Sequence, residues 1–151
     1  MKITWFVKKF EDLGVHELYD LLRLRSEVFV VEQNCVYLDL DNSDQKALHV
    51  LGYTDDNQLV AVTRLFDSGI KFKEASIGRV ATAFSVRKLG IGKELMRVSI
   101  ASVEEHFEAK EIRIGAQEYL QRFYEELGFV KASDMYLEDN IPHIEMVRVA
   151  P

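Results

Sequence analysis

The 151-residue chain holds one cysteine, two prolines and no long apolar run. A single thiol, Cys35, can neither close an intramolecular disulfide nor build a cysteine-based zinc cluster, which fits a reducing compartment. With two prolines and eight glycines, a collagenous or low-complexity chain is excluded. No segment approaches the ~20 apolar residues that span a bilayer. The first ten residues have neither a continuous apolar stretch nor a small-residue cleavage site, so they do not read as a secretory signal, and a cytoplasmic location is expected. Positive charge is also scarce: 19 Lys and Arg face 25 Asp and Glu, a net charge of -6. That balance disfavours nucleic acid and anionic membrane as partners.

What is present is ordinary globular material, 48% hydrophobic and 29% charged. The length suits one domain over residues 1–151. Residues 2–7, rich in β-branched and aromatic side chains, read as a strand. Across 16–31, Leu18, Leu21, Leu22, the stem of Arg25 and Phe29 recur at helical spacing. Residues 32–45 lose all periodicity and gather Glu32, Asp39, Asp41 and Asp44, so a loop is expected, long enough to suspect function. Runs at 47–53 and 58–65 read as a hairpin turning on Thr54-Asp55-Asp56-Asn57. A strand at 75–84 leads through a glycine-bearing loop into a helix over 91–107, with Ile91, Leu95, Val98 and Ser102 on one face. A strand at 111–115 follows. This β-loop-α-β unit requires parallel pairing and a right-handed crossover. A short helix at 120–127 stops at Gly128, and strands near 130–137 and 143–149 close the chain.

The chemically informative segment is Arg87-Lys88-Leu89-Gly90-Ile91-Gly92-Lys93, after a strand and opening a helix. Glycines let the backbone approach a ligand, and the free N–H groups of a helix start attract an anion. Neither the dinucleotide G-x-G-x-x-G nor the nucleotide P-loop ending in Gly-Lys-Ser/Thr is matched.

Arg87-x-x-Gly90-x-Gly92 after a β-strand resembles the pyrophosphate-binding signature of the GCN5-related N-acetyltransferase (GNAT) superfamily. Phe123-Tyr124-Glu125-Glu126-Leu127-Gly128-Phe129 is similar to its second signature. The segments Val30-Val31-Glu32-Gln33-Asn34, Ile77-Gly78-Arg79-Val80 and Glu138-Asp139-Asn140-Ile141-Pro142-His143-Ile144 resemble the bacterial ElaA-like branch. The resemblance covers nearly the whole chain. It implies an α/β (α+β) fold: a mixed, mostly antiparallel sheet of six to seven strands, about four helices, and a parallel strand pair at the coenzyme site. It also implies an enzyme using acetyl-CoA as cosubstrate and no metal.

Residue by residue, the resemblance implies that backbone groups of Val80, Ala81 and Thr82 pair with the pantetheine arm like an added strand. Backbone N–H groups of Arg87, Lys88, Leu89, Gly90, Ile91, Gly92 and Lys93 would hold the pyrophosphate, with Arg87, Lys88 and Lys93 adding charge. Gln117 stands where the family often has asparagine. Tyr124 matches the tyrosine facing the coenzyme sulfur, and a phenol can protonate a departing thiolate.

An amine acceptor must lose a proton before attack, so a base is needed. Glu32 is the first candidate, His143 the second and His49 the third. A relay through Cys35 is the minor variant. A sensor or interaction module that binds acyl-CoA without turnover is the competing reading, and a structural domain whose glycines only form a turn is another. Arg64 and Arg79, unusual in apolar strands, are expected to pair with the acidic loop or to bind substrate. The alternating aspartates lack the glycine and glutamate of a calcium loop, so no metal is expected there.

Charge is unevenly placed. Residues 85–97 carry Arg87, Lys88, Lys93 and Arg97 against Glu94, a local +3, while 32–45 carry a local -4. The basic segment suits coenzyme phosphates. The acidic loop predicts a cationic small-molecule or peptide amine as acceptor. A homodimer is left open.

Overall fold

The structure, a computed structural model, describes residues 1–151. Four strands, β1 (Thr4–Lys9), β2 (Leu48–Tyr53), β3 (Leu59–Phe66) and β4 (Ser76–Thr82), pair antiparallel in chain order. A second sheet contains β5 (Glu111–Gln117), β6 (Val130–Lys131), β7 (Tyr136–Glu138) and β8 (Ile141–Val149), with β8 pairing antiparallel to the other three. The helices are α1 (Val15–Arg25), α2 (Ile91–Phe107) and the short α3 (Gln121–Glu125). The expected α/β layout is therefore present, with eight strands and three α-helices. The one strand beyond the seven read from the sequence arises because residues 130–137 do not form one strand. They break into β6 and β7 around an irregular stretch whose Ser133 hydroxyl accepts from the Glu145 N–H.

Helix α1 starts where the Glu17 carboxylate accepts the Gly14 N–H at 2.8 Å. It does not continue as an α-helix to residue 31. From Ser26 to Glu32 the chain is a π-helix, a wider turn of the kind that appears at functional sites. The β2–β3 hairpin forms as its polar turn suggests, with Asn57 at φ 64° and Thr54 N–H bonded to the Gln58 carbonyl. Asp139 and Asn140, both at positive φ, make the tight turn between β7 and β8. Strand β8 thus begins at Ile141 rather than at His143.

The main core contains twenty buried residues and joins both sheets through α2. On that helix Ile91, Leu95, Met96, Ser99, Ile100, Ser102 and Val103 are buried, whereas Val98 is only partly covered. A smaller core, Leu21, Leu24, Val28, Val62 and Ala81, seats α1 and the π-turn on the opposite face of the first sheet.

The expected parallel pairing of β4 and β5 is reduced to one bridge. Ala75 pairs with Ile112, and Arg113 N–H donates to the Ala75 carbonyl at 2.9 Å. Beyond it no bridge joins the two strands, and β4 is left as an edge.

Candidate active site

A cavity of about 730 Å³ lies where β4 and β5 part, lined on one side by Ile77, Gly78, Val80 and Thr82 and on the other by Ile114, Gly115 and Gln117. Strand β4 is also irregular. Its pairing with β3 slips by one residue between Gly78 and Ala81, and Arg79 takes φ 49°. Such a bulge re-aims side chains and releases backbone groups from the ladder. Of the three residues expected to meet the pantetheine arm, Val80 and Thr82 line the cavity, while the side chain of Ala81 is buried against α1.

The glycine loop reaches the same opening. Gly90 precedes α2 in the left-handed region at φ 79°, ψ 5°, and no side chain caps the helix N-terminus, so its first N–H groups are open to an anion. Arg87 and Gly92 line the cavity, Lys88, Leu89 and Gly90 are exposed, and Ile91 is buried in the core. Lys93 pairs with Glu126 at 2.6 Å.

Tyr124 and His143 meet at this cavity from separate elements. Tyr124, on α3, is wedged edge-on between Phe123 and Phe129, with centroid distances of 5.1 and 5.9 Å. Burial, and then the neighbouring Tyr119, push its phenol above the ordinary value, so it holds its proton at neutral pH. His143, on β8, stacks on Tyr136. Its Nδ1 lies 2.7 Å from the Ile141 carbonyl oxygen. A carbonyl only accepts, so Nδ1 carries the hydrogen and the neutral ring keeps its lone pair on Nε2. Nε2 lies 3.5 Å from Glu138 Oε2.

Residues 11–150 match the acetyltransferase (GNAT) domain. The chain belongs to the GNAT family. It is 40% identical over 148 residues to ElaA of Escherichia coli strain K12, 97% of this chain and 96% of that protein. ElaA's crystal structure superposes with a TM-score of 0.90 at 39% identity, covering 97% and 99% of the two chains. An acyl-CoA N-acyltransferase from Pseudomonas aeruginosa gives a TM-score of 0.92 at 39% identity over 98% of this chain and all of that one. An aminoglycoside 6'-N-acetyltransferase complexed with coenzyme A shares the fold at 17% identity and a TM-score of 0.69, covering 95% and 96% of the two chains. GNAT membership of this ElaA-like kind assigns the chain to the acyltransferases.

The other sequence candidates are distributed unevenly in this GNAT domain. Glu32 lines the cavity, but both its oxygens are bound by Arg87. The Gln117 amide exchanges hydrogen bonds with Gln33 at 3.3 and 3.4 Å, linking β5 to the end of the π-turn. Cys35 also lines the cavity, its thiol 3.5 Å from the Asp139 carbonyl oxygen. His49 lies elsewhere. It is fully buried beneath the acidic loop and bonds through Nε2 to the Asp44 carbonyl at 2.8 Å, which removes it as a site base.

The acidic loop is not a free negative rim. Arg25, of which only the stem was expected to be covered, is wholly buried and bonds to Asp39 and Asp44 at 2.9 and 2.7 Å. Arg64 joins Asp41 and Asp44, and Arg79 joins Asp39. The Arg64 bonds hold Asp41 far below the usual carboxylate range. Burial alone would raise Asp44, but its bonds to Arg25 and Arg64 outweigh that and lower it. Three of the four charges counted along residues 32–45 are thus paired within this cluster, and the fourth, Glu32, is paired with Arg87.

Sequence reasoning had no signal for three site features: the π-turn, the left-handed Arg79 and the Gln33–Gln117 bridge. Asp39 and Asp44 were readable as alternative partners of Arg64 and Arg79, and the pairs Arg79–Asp39 and Arg64–Asp44 form.

Proposed function

We propose that the protein transfers an acetyl group from acetyl-CoA to a primary amine by direct attack within a ternary complex. The observation that carries the reading is the cavity at the parting of β4 and β5, lined by both a protonated Tyr124 and a His143 whose Nδ1 is bound to the Ile141 carbonyl, so that its lone pair is on Nε2. Acetyl-CoA would extend along the free edge of β4, its pyrophosphate at the open N-terminus of α2 and its thioester oxygen toward the bulged β4 backbone.

The ammonium form of the acceptor is drawn to Glu138 and Asp139, which border the cavity beside His143. Its proton passes to His143 Nε2. The amine nitrogen then bonds to the carbonyl carbon, the carbon–sulfur bond breaks, the Tyr124 hydroxyl gives its proton to the leaving thiolate, and the second proton shed by the new amide nitrogen restores the Tyr124 phenol, leaving the proton on His143 as the one to be released. The amide and coenzyme A depart, and one proton returns to solvent. Glu32 serves in this reading as the holder of Arg87. Cys35 needs no covalent role.

Calorimetry with coenzyme A, followed by thiol release from acetyl-CoA across a panel of amines, tests the proposal. Binding and amine-dependent thiol release are expected. Coenzyme binding with no release on any amine would leave only a sensor, and absence of binding would overturn the coenzyme site itself.

A further inference from the structure

The cavity carries a second recognition element beyond the acid and the base. On the α1 face of the first sheet its wall includes Arg64 and Arg79, with Lys71 from the β3–β4 connection, while Asp41 is the carboxylate among them. The full cluster sets four cations, Arg25, Arg64, Lys71 and Arg79, around three aspartates, Asp39, Asp41 and Asp44, an excess of one positive charge.

The donors are not exhausted by that pairing. Arg79 uses Nε and Nη2 on Asp39, at 2.7 Å to Oδ1 and 2.8 Å to the main-chain oxygen, which leaves Nη1 over. Lys71 gives one bond, to Asp41 at 3.1 Å, out of three. Arg64 is 4% exposed, and its Nε is buried without a partner. That Nε lies 3.9 Å from where a side chain on Gly78 would begin, and nothing else stands within 4 Å of that point. A buried, unpaired guanidinium N–H is costly and uncommon. The cations are also fixed in place: Arg64 and Lys71 lie 5.0 and 5.4 Å from the centre of the Phe66 ring, and Arg79 5.8 Å from that of Tyr37.

We propose that the acceptor carries a carboxylate as well as its amine, an amino-acid-like small molecule whose carboxylate is received by Arg79, Lys71 and Arg64. The amine end meets Glu138, Asp139 and His143, so one cavity presents an anionic and a cationic pole to a zwitterion. Phe72, which also lines the wall, offers apolar cover to the rest of the molecule. This deepens the amine-acetyltransferase reading and rests on it.

The test is calorimetry in the presence of coenzyme A with matched pairs of N-acetyl amino acids and their decarboxylated N-acetyl amines, spanning aliphatic, aromatic and cationic side chains. At least one carboxylate-bearing ligand is expected to bind ten-fold or more tighter than its partner, with the preference weakening in salt. Lys71→Gln and Arg79→Gln should each cut that preference to three-fold or less without changing coenzyme A affinity. Lys71, being partly exposed, keeps the test valid should loss of the Asp39 partner impair folding of the Arg79 variant. Equal binding within every pair, binding of none, or an unchanged preference in Lys71→Gln would overturn the inference. Amines acetylated without regard to a carboxylate would sink this inference alone, whereas carboxylate-selective binding with no acetylation of any amine would sink the transfer reading and leave the carboxylate site standing.

Discussion

Arg87 grips both carboxylate oxygens of Glu32, and its Nη2 also donates to the Thr82 carbonyl at 3.0 Å. The pair ties the end of the π-turn to the end of β4. A carboxylate held this way cannot take up a substrate proton without losing two charge-assisted bonds. Glu32→Gln should therefore keep the acidic limb of the kcat/KM profile against pH, while His143→Ala should lose it. Loss of that limb in Glu32→Gln alone would transfer the base to Glu32.

Tyr124→Phe removes a hydroxyl and keeps the ring packed between Phe123 and Phe129. Turnover is expected to fall by about 10²- to 10⁴-fold, the usual yield of a general acid, with KM for acetyl-CoA little changed. Steady-state kinetics across pH decides it, and an unaltered turnover number would remove the assignment.

Acid should weaken the fold in two stages. Burial lowers the proton affinity of His49, whose Nδ1 is buried with no partner to receive an added N–H. Asp41 and Asp44 are lowered by their guanidinium bonds. In all three cases the unfolded chain binds protons more readily, so stability rises with pH through each titration. The His49 contribution is complete above the unfolded value of about 6.5 and is lost below it, and the aspartate contributions are complete above about 3.9 and are lost below it. Thermal melts should show a gentle fall beginning near that first value and a steeper one near the second, with His49→Gln flattening only the first. A melting point that rises between neutral pH and the aspartate range would contradict this account.

Arg25→Met leaves Asp39 and Asp44 short of a buried partner and should cost about 3–5 kcal/mol in denaturant unfolding. The contrast is Arg23, two residues earlier, whose pair with Glu27 is 69% and 54% exposed. Its replacement by Ala should cost about 0.5 kcal/mol or less, as exposed i,i+4 pairs do. Equal losses at the two positions would mean that the interior carboxylates are reached by solvent.

What could be read along the chain was what nearby residues determine. The glycine-led start of α2 and the β2–β3 hairpin each follow from a few consecutive side chains, and each is found where their chemistry places it; the last helix, expected over 120–127, is shorter and ends at Glu125, with Gly128 in the turn that follows. The pairing of Arg64 and Arg79 with the acidic loop was legible as an expectation, whereas the buried Arg25 was not, because its partners lie 14 and 19 residues away, a separation with no periodic trace. The tautomer of His143 depends on the turn before β8, and the left-handed Arg79 on a register slip with β3. Both are tertiary facts.

The π-turn of Ser26–Glu32 makes this part of the molecule sensitive to length more than to identity. It places Val28 in the small core while Phe29, Glu32 and Gln33 line the cavity. Deleting one residue from this stretch would allow ordinary α-helical winding to resume and would swing every following side chain by about 100° around the axis. Glu32 would leave Arg87 and Gln33 would leave Gln117, detaching both struts at once. Frame-preserving deletions here are therefore a sharper probe of the cavity mouth than any single substitution on its rim.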